Sequence, residues 1–186
     1  MELGTLERNF ISPVLEETNP TLDWHQFQKR IKVNLDCSRL PDASEIAGVC
    51  KHLALRDFFH ALHNQGNPAV YWFTIISYHG FKQVYDAISE ARQKVQRRFP
   101  AQKKLSHPTK VLYVGKVRSD LRSRMISHLG YNLRPENHGL QLCHWAKKIS
   151  LKLELTCMML PKEFKDSVLY FESQIATELQ PLLGMY

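Results

Sequence analysis

The chain has 186 residues, 44% of them hydrophobic, and its 25 Lys and Arg against 18 Asp and Glu give a net charge of +7. That length suits one domain able to bury roughly 70% of its unfolded surface, and no apolar run approaches the ~18 residues of a membrane span. The opening Met1-Glu2-Leu3-Gly4 lacks a signal peptide's basic and apolar regions, and Cys37, Cys50, Cys143 and Cys157 show no C-x-x-C spacing, so the expectation is a cytoplasmic protein with reduced thiols.

Residues 1 to 21, interrupted by Pro13 and Pro20, read as an irregular lead-in. From Asp23, a candidate N-cap, the spacing of Trp24, Phe27, Ile31 and Val33 predicts a helix ending near Asn34. A longer helix is predicted from Ala43 or Ser44 to about Asn64, burying Ile46, Val49, Cys50, Leu53, Phe58 and Leu62. His60 and His63 lie three apart in it without a nearby third ligand, which favours packed or surface histidines over a zinc site. Gly66-Asn67-Pro68 then punctuates the chain, and residues 69 to 77 predict a strand with Ala69, Tyr71, Phe73 and Ile75 on one face. Residues 80 to 98 predict a helix with Phe81, Val84, Tyr85, Ile88, Ala91 and Val95 as its buried stripe, and Pro100 and Pro108 bracket a basic loop.

The charge is local. Residues 92 to 124 hold eleven Lys and Arg against Asp120 alone, a net +10 that leaves the rest of the chain at −3. A concentrated positive field suits a polyanion such as nucleic acid, whose phosphates supply most of the affinity, although a solvated basic loop is the plainer alternative. Arg97, Arg98, Lys103, Lys104, Lys110, Arg118 and Arg122 are the candidate nucleic-acid contacts.

Within that segment Val111 to Val114 predict a strand that breaks at Gly115, and a helix restarts at Asp120 with Leu121, Met125 and Leu129 on one stripe. Strand alternation puts Tyr113 with Val111 and Gly115, while helical spacing puts Arg124 and His128 on one flank, so a phenol, Lys116, a guanidinium and an imidazole are able to converge. A polar loop at 130 to 138 and a short helix from Leu140 to Ile149 come next. Leu151 to Met159 alternate as a half-buried strand, and a last helix runs from about Lys162 or Asp166 to Leu179, before Pro181 and Gly184. His138, Cys143 and His144 leave a zinc-binding interaction protein as a weaker reading.

On the last helix Val168 and Leu169 precede Glu172 by four and three residues, and Ile175 and Ala176 follow it by three and four, so its carboxylate points along the apolar stripe. Burying an unpaired carboxylate costs several kcal/mol, so something should pair with it. A structural salt bridge is one answer and a hard Mg²⁺ the other.

Tyr113-Val114-Gly115-Lys116 followed by Arg124 and His128 resembles the second half of the GIY-YIG nuclease signature. Ala69-Val70-Tyr71 stands where the first half is expected, and Glu172 where the family's metal-binding glutamate falls. The resemblance spans residues 69 to 186. It implies an α+β sandwich in which helices flank a small, mostly antiparallel three-stranded sheet in β-β-α-β-α order. Residues 1–67 would then be an N-terminal helical extension, and 68–186 a nuclease domain with an insert at 78–109. It further implies one site, made of Tyr71, Tyr113, Lys116, Arg124, His128 and Glu172, that cuts DNA with a single Mg²⁺ or Mn²⁺ on Glu172. In that site Tyr113 or Tyr71 accepts a proton, Arg124 matches phosphate oxygens, and His128 bonds a tyrosine or the phosphate or shares the base role. A restriction-like homodimer is the expected subtype, with a nicking or repair nuclease, or a binding module without turnover, as alternatives. The sequence departs from the pattern in four places. The first motif is Ala-Val-Tyr, the tyrosines are 42 residues apart, the arginine lies one position late so that Arg122 rivals Arg124, and the family's asparagine position falls around Gly184.

Overall fold

The structure is a computed structural model that describes residues 30–43, 49–62, 66–78, 80–103, 109–132, 134, 136 and 138–184. In chain order it contains β1 (Arg30–Asp36), α1 (Arg56–Ala61), β2 (Ala69–Ile75), α2 (Phe81–Lys94), β3 (Val111–Val117), α3 (Leu121–Leu129), β4 (Lys152–Met159) and α4 (Val168–Leu179). The class is α+β. The sheet has four strands rather than three, in the order β1-β4-β2-β3, and every neighbouring pair is antiparallel.

The additional strand comes from the segment expected to be helical. Ile31, Val33 and Leu35 alternate with Lys32, Asn34 and Asp36, and they pair with Cys157, Leu155 and Leu153 of β4. A period of two satisfies the edge of a sheet, whereas the helical spacing borrowed Trp24 and Phe27, which lie outside the described residues. The Asp23 cap lies outside them too. The predicted long helix also gives way. Its described part is a 3-10 turn at Val49–Lys51 and the two turns of α1, with Leu53 76% exposed instead of buried. His52 explains the break, because its ring Nδ1 accepts the Ala54 N–H (3.3 Å) and so competes with the helix for that donor. Ile46 and His63 lie outside the described residues.

The predicted strand at 69 to 77 ends at Ile75, and the predicted helix at 80 to 98 is α2, which stops at the extended Val95. Between Leu140 and Ile149 there is a 3-10 turn at Leu142–His144 and further turns, not a regular helix. Gly115 does not break its strand but sits inside β3, directly opposite Tyr71 of β2.

Strand alternation sorts the core into two layers. On one side Tyr71, Phe73, Leu153, Leu155 and Cys157 pack with the buried residues of α1, α2 and α3. On the other, Val70, Trp72, Val114 and Met158 meet Val168, Phe171, Ile175 and Ala176 of α4. β3 is therefore a strand whose two faces look at different helices. Its outer edge is covered by the C-terminal tail, where Leu182 N–H donates to Val111 O (2.8 Å) and Leu183 N–H to Leu112 O (3.0 Å), while Lys103 N–H and Gly184 N–H tie the tail to residues 101–103. Among the described residues no helix is long and apolar enough to cross a membrane.

Because Leu183 is 1% exposed and closes that edge, Leu183→Ala is expected to cost about 2–5 kcal/mol in urea denaturation. A loss below about 1 kcal/mol would show that β3 does not need the tail.

Candidate active site

Three neighbouring elements place four side chains at one point. α3 begins where the Asp120 carboxylate accepts the Ser123 N–H (2.9 Å), and it ends at Gly130, whose φ of 97° is a left-handed cap that glycine adopts without strain. Two of its residues one turn apart, Arg124 and His128, face the sheet beneath β2 and β3.

The Arg124 guanidinium joins both phenols. Its Nε donates to Tyr71 Oη (2.9 Å), Nη2 donates to Tyr113 Oη (3.2 Å), and Nη1 donates to the His138 carbonyl (2.8 Å). Tyr71 Oη also meets His128 Nε2 at 2.8 Å, and His128 Nδ1 accepts the Leu140 N–H at 3.2 Å. The rings pack as a cluster, with His128 5.0 Å from the Tyr113 centroid and 5.5 Å from that of Tyr71. Gly115 makes this possible. A Cβ there would lie 2.6 Å from both Tyr71 Oη and Tyr113 Cε1, so the absent side chain is the space the phenols occupy.

Burial dominates the electrostatics. Tyr71 and His128 are 0% exposed, whereas Tyr113 is half-buried. Desolvation pushes both phenols above their ordinary value, and the neighbouring Arg124 charge opposes it only in part. Burial works against the Arg124 charge as well, yet the two phenols outweigh it and hold the guanidinium above its usual range. His128 is driven well below the ordinary histidine range by burial first and by Arg124 second, so it is neutral at pH 7.

The other two expected residues form a separate pair. Lys116 Nζ donates to Glu172 Oε2 at 2.6 Å, with the glutamate side chain only 5% exposed and the lysine 31%. This is the salt-bridge partner that a carboxylate on an apolar stripe demands. Alternation along β3 sends Lys116 toward α4 and Tyr113 toward α3, so the pair and the phenol cluster lie on opposite faces of one strand. They still sense each other, since the Glu172 charge raises both phenols. A hard divalent cation takes one protein carboxylate plus waters and substrate phosphate, and Glu172 meets that minimum if Lys116 yields an oxygen to it. Among the described residues no cluster of three His, Cys, Asp or Glu offers a fuller cage. The group of His138, Cys143 and His144 forms none, and burial holds the Cys143 thiol up at about 12.

Arg122 no longer rivals Arg124, because its guanidinium stacks over Phe59 at 5.6 Å. Of the basic candidates, Arg98, Lys110, Arg118 and Arg122 are exposed, while Arg97 is half-buried and donates to the Asn132 carbonyl (2.7 Å). Lys103 is half-buried, and Lys104 lies outside the described residues. The sequence reading missed Gly139 and Leu140, whose contact with α3 is long-range and carries no local signal. Comparison of the chain with protein-family models, with curated proteins and with solved structures returned no match.

Two expectations follow from the buried cluster. Gly115→Ala is expected to cost about 1–3 kcal/mol through overpacking and to part the phenols; an unchanged denaturation midpoint would contradict the close approach. His128 titrates near 6.5 when unfolded and well below that when folded, so in between the unfolded chain binds the extra proton and stability falls as pH drops from about 6.5. Urea melts from pH 7 to 5 should show wild type losing up to about 1.4 kcal/mol per pH unit relative to His128→Gln, and parallel curves would refute it.

Proposed function

We propose that this chain is a divalent-metal-dependent phosphodiesterase acting on DNA, with an active site of the GIY-YIG kind. The observation that carries the reading is a single guanidinium bonded to two phenols over a glycine, with a neutral imidazole beneath. A core needs no such arrangement, because a purely structural tyrosine pair is satisfied by backbone carbonyls or water.

The residues divide the work by accessibility. Tyr113, the half-buried phenol, is the proton acceptor for an attacking water, and the fully buried Tyr71 holds Arg124 in place. Arg124 has five N–H donors and commits three internally, which leaves two for phosphate oxygens as charge builds in the transition state. Both nitrogens of His128 are engaged inside the core, so it orients Tyr71 and does not serve as base. Lys116 and Glu172 sit across the strand, where Glu172 would hold a Mg²⁺ or Mn²⁺ and the displaced Lys116 ammonium would face the substrate. That cation, when bound, supplies Lewis-acid charge to the phosphate. The exposed Arg98, Lys110, Arg118 and Arg122 grip the backbone around it, and a double-strand cut would take two protomers.

The test is supercoiled plasmid with Mg²⁺, with EDTA and Glu172→Gln as controls. Nicking abolished by both supports the nuclease, whereas salt-sensitive binding without any cleavage by wild type supports a binding module on the same scaffold. Because both phenols are raised, the ionised fraction of Tyr113 is small at neutral pH and grows about tenfold per pH unit. Turnover should therefore climb from pH 6 to 9 in wild type. Tyr113→Phe should be about 10²–10⁴-fold slower with that climb lost, and a Tyr113→Phe profile parallel to wild type would remove Tyr113 from the base role.

A further inference from the structure

The hydrogen bonds around His128 have a direction. A backbone N–H only donates, so the Leu140 contact at 3.2 Å makes Nδ1 the lone-pair side of the ring. A neutral imidazole carries one N–H, which then sits on Nε2 and donates to Tyr71 Oη at 2.8 Å. Arg124 Nε donates to the same oxygen at 2.9 Å. Tyr71 Oη thus accepts twice, from two donors that converge on it. The opposite tautomer would set the Leu140 N–H against another N–H and turn the Tyr71 hydroxyl around to donate to His128.

The Leu140 N–H owes its position to the residue before it. A Cβ on Gly139 would fall inside van der Waals contact of the Ser127 carbonyl oxygen and also 3.3 Å from Gln141 Nε2. Ser127 immediately precedes His128 on α3, and its carbonyl is main chain, so it has little room to give. Only glycine lets this segment press so closely on the helix. On the other side of Gly139, the His138 carbonyl accepts from Arg124 Nη1 at 2.8 Å, so residues 138 to 140 contact both α3 side chains that reach Tyr71. The groups facing His128 are Tyr71, Tyr113, Phe73 and Arg124.

We infer that Gly139 is a positioning residue that, through the Leu140 N–H, holds His128 in the Nε2–H tautomer and makes it a donor to Tyr71, so that Tyr71 Oη stays a shared acceptor and Arg124 keeps its place. The consequence for turnover rests on the nuclease reading. The direction of the hydrogen bonds belongs to the resting protein and does not.

The experiment is ¹⁵N NMR of the imidazole together with plasmid kinetics. In wild type at pH 7, His128 should show an unprotonated Nδ1 and a protonated Nε2; an Nδ1–H tautomer or an imidazolium overturns the inference. Gly139→Ala should mix the tautomers and lower kcat about 10²-fold with KM for plasmid within about twofold. In a His128→Gln background, where no tautomer remains to be set, adding Gly139→Ala should cost less than about threefold more. Retention of the single Nε2–H form in Gly139→Ala overturns the assignment, as does full additivity of the two changes. If Gly139→Ala does not fold, amide exchange decides: the Leu140 N–H should exchange faster in His128→Phe, which lacks the acceptor, and unchanged exchange overturns the contact. Wild type that nicks no plasmid yet shows the expected tautomer sinks the nuclease reading and leaves the hydrogen-bond assignment standing.

Discussion

The arrangement around β2 and β3 depends on Arg124. A guanidinium this deep in the protein requires partners for most of its donors, and the two phenols with the His138 carbonyl supply three. In return the guanidinium gives each phenol oxygen a charged donor. Each member makes the others tolerable, because removing one leaves a buried polar group unpaired at a cost of about 1–3 kcal/mol or more. Gly115 and Gly139 take part without any side chain of their own. One gives up the volume the phenols occupy, and the other lets a backbone segment reach the helix.

The position of β3 explains why two chemically different clusters sit so near each other. It lies at the end of the sheet, between α3 on one face and α4 on the other, with the C-terminal tail along part of its edge. Successive residues of such a strand address opposite layers, so Tyr113 enters the phenol cluster and Lys116 reaches Glu172. The low-dielectric strand between them lets the carboxylate charge act on both phenols without touching them. The exposed Arg118 and Arg122, on the loop and first turn beside β3, extend a positive field outward.

Much of this was legible in the residues themselves. The strands β2 and β4, the first residues of β3 and the helices α2, α3 and α4 show in the residues as an aromatic and β-branched run after Gly66-Asn67-Pro68, an alternating run, and apolar stripes that recur about every 3.6 residues. Arg124 and His128 fall on one flank of α3 because four residues make roughly one turn. Glu172 advertises a partner because it interrupts an apolar stripe. Where the reading failed, the local pattern was mixed. Ile31 fits a helix begun at Trp24 as well as a strand with Val33 and Leu35, and only pairing with β4, some 120 residues away, favours the strand. The long helix across 43 to 64 carried a continuous apolar count, but a histidine side chain competes for a backbone donor inside it.

The sequence by itself determined which side chains had to be buried and at what spacing, hence the α+β class, the helix that carries Arg124 and His128, and the need for a partner at Glu172. Only the tertiary structure decided which of the possible partners met. It chose Lys116 for Glu172, Arg124 over Arg122 for the phenols, and Leu140, outside any helix or strand, as the donor that orients His128. The reason is physical: periodicity reports which face of an element is dry, whereas hydrogen-bond pairing depends on distances of 3 Å between elements that are far apart in the chain.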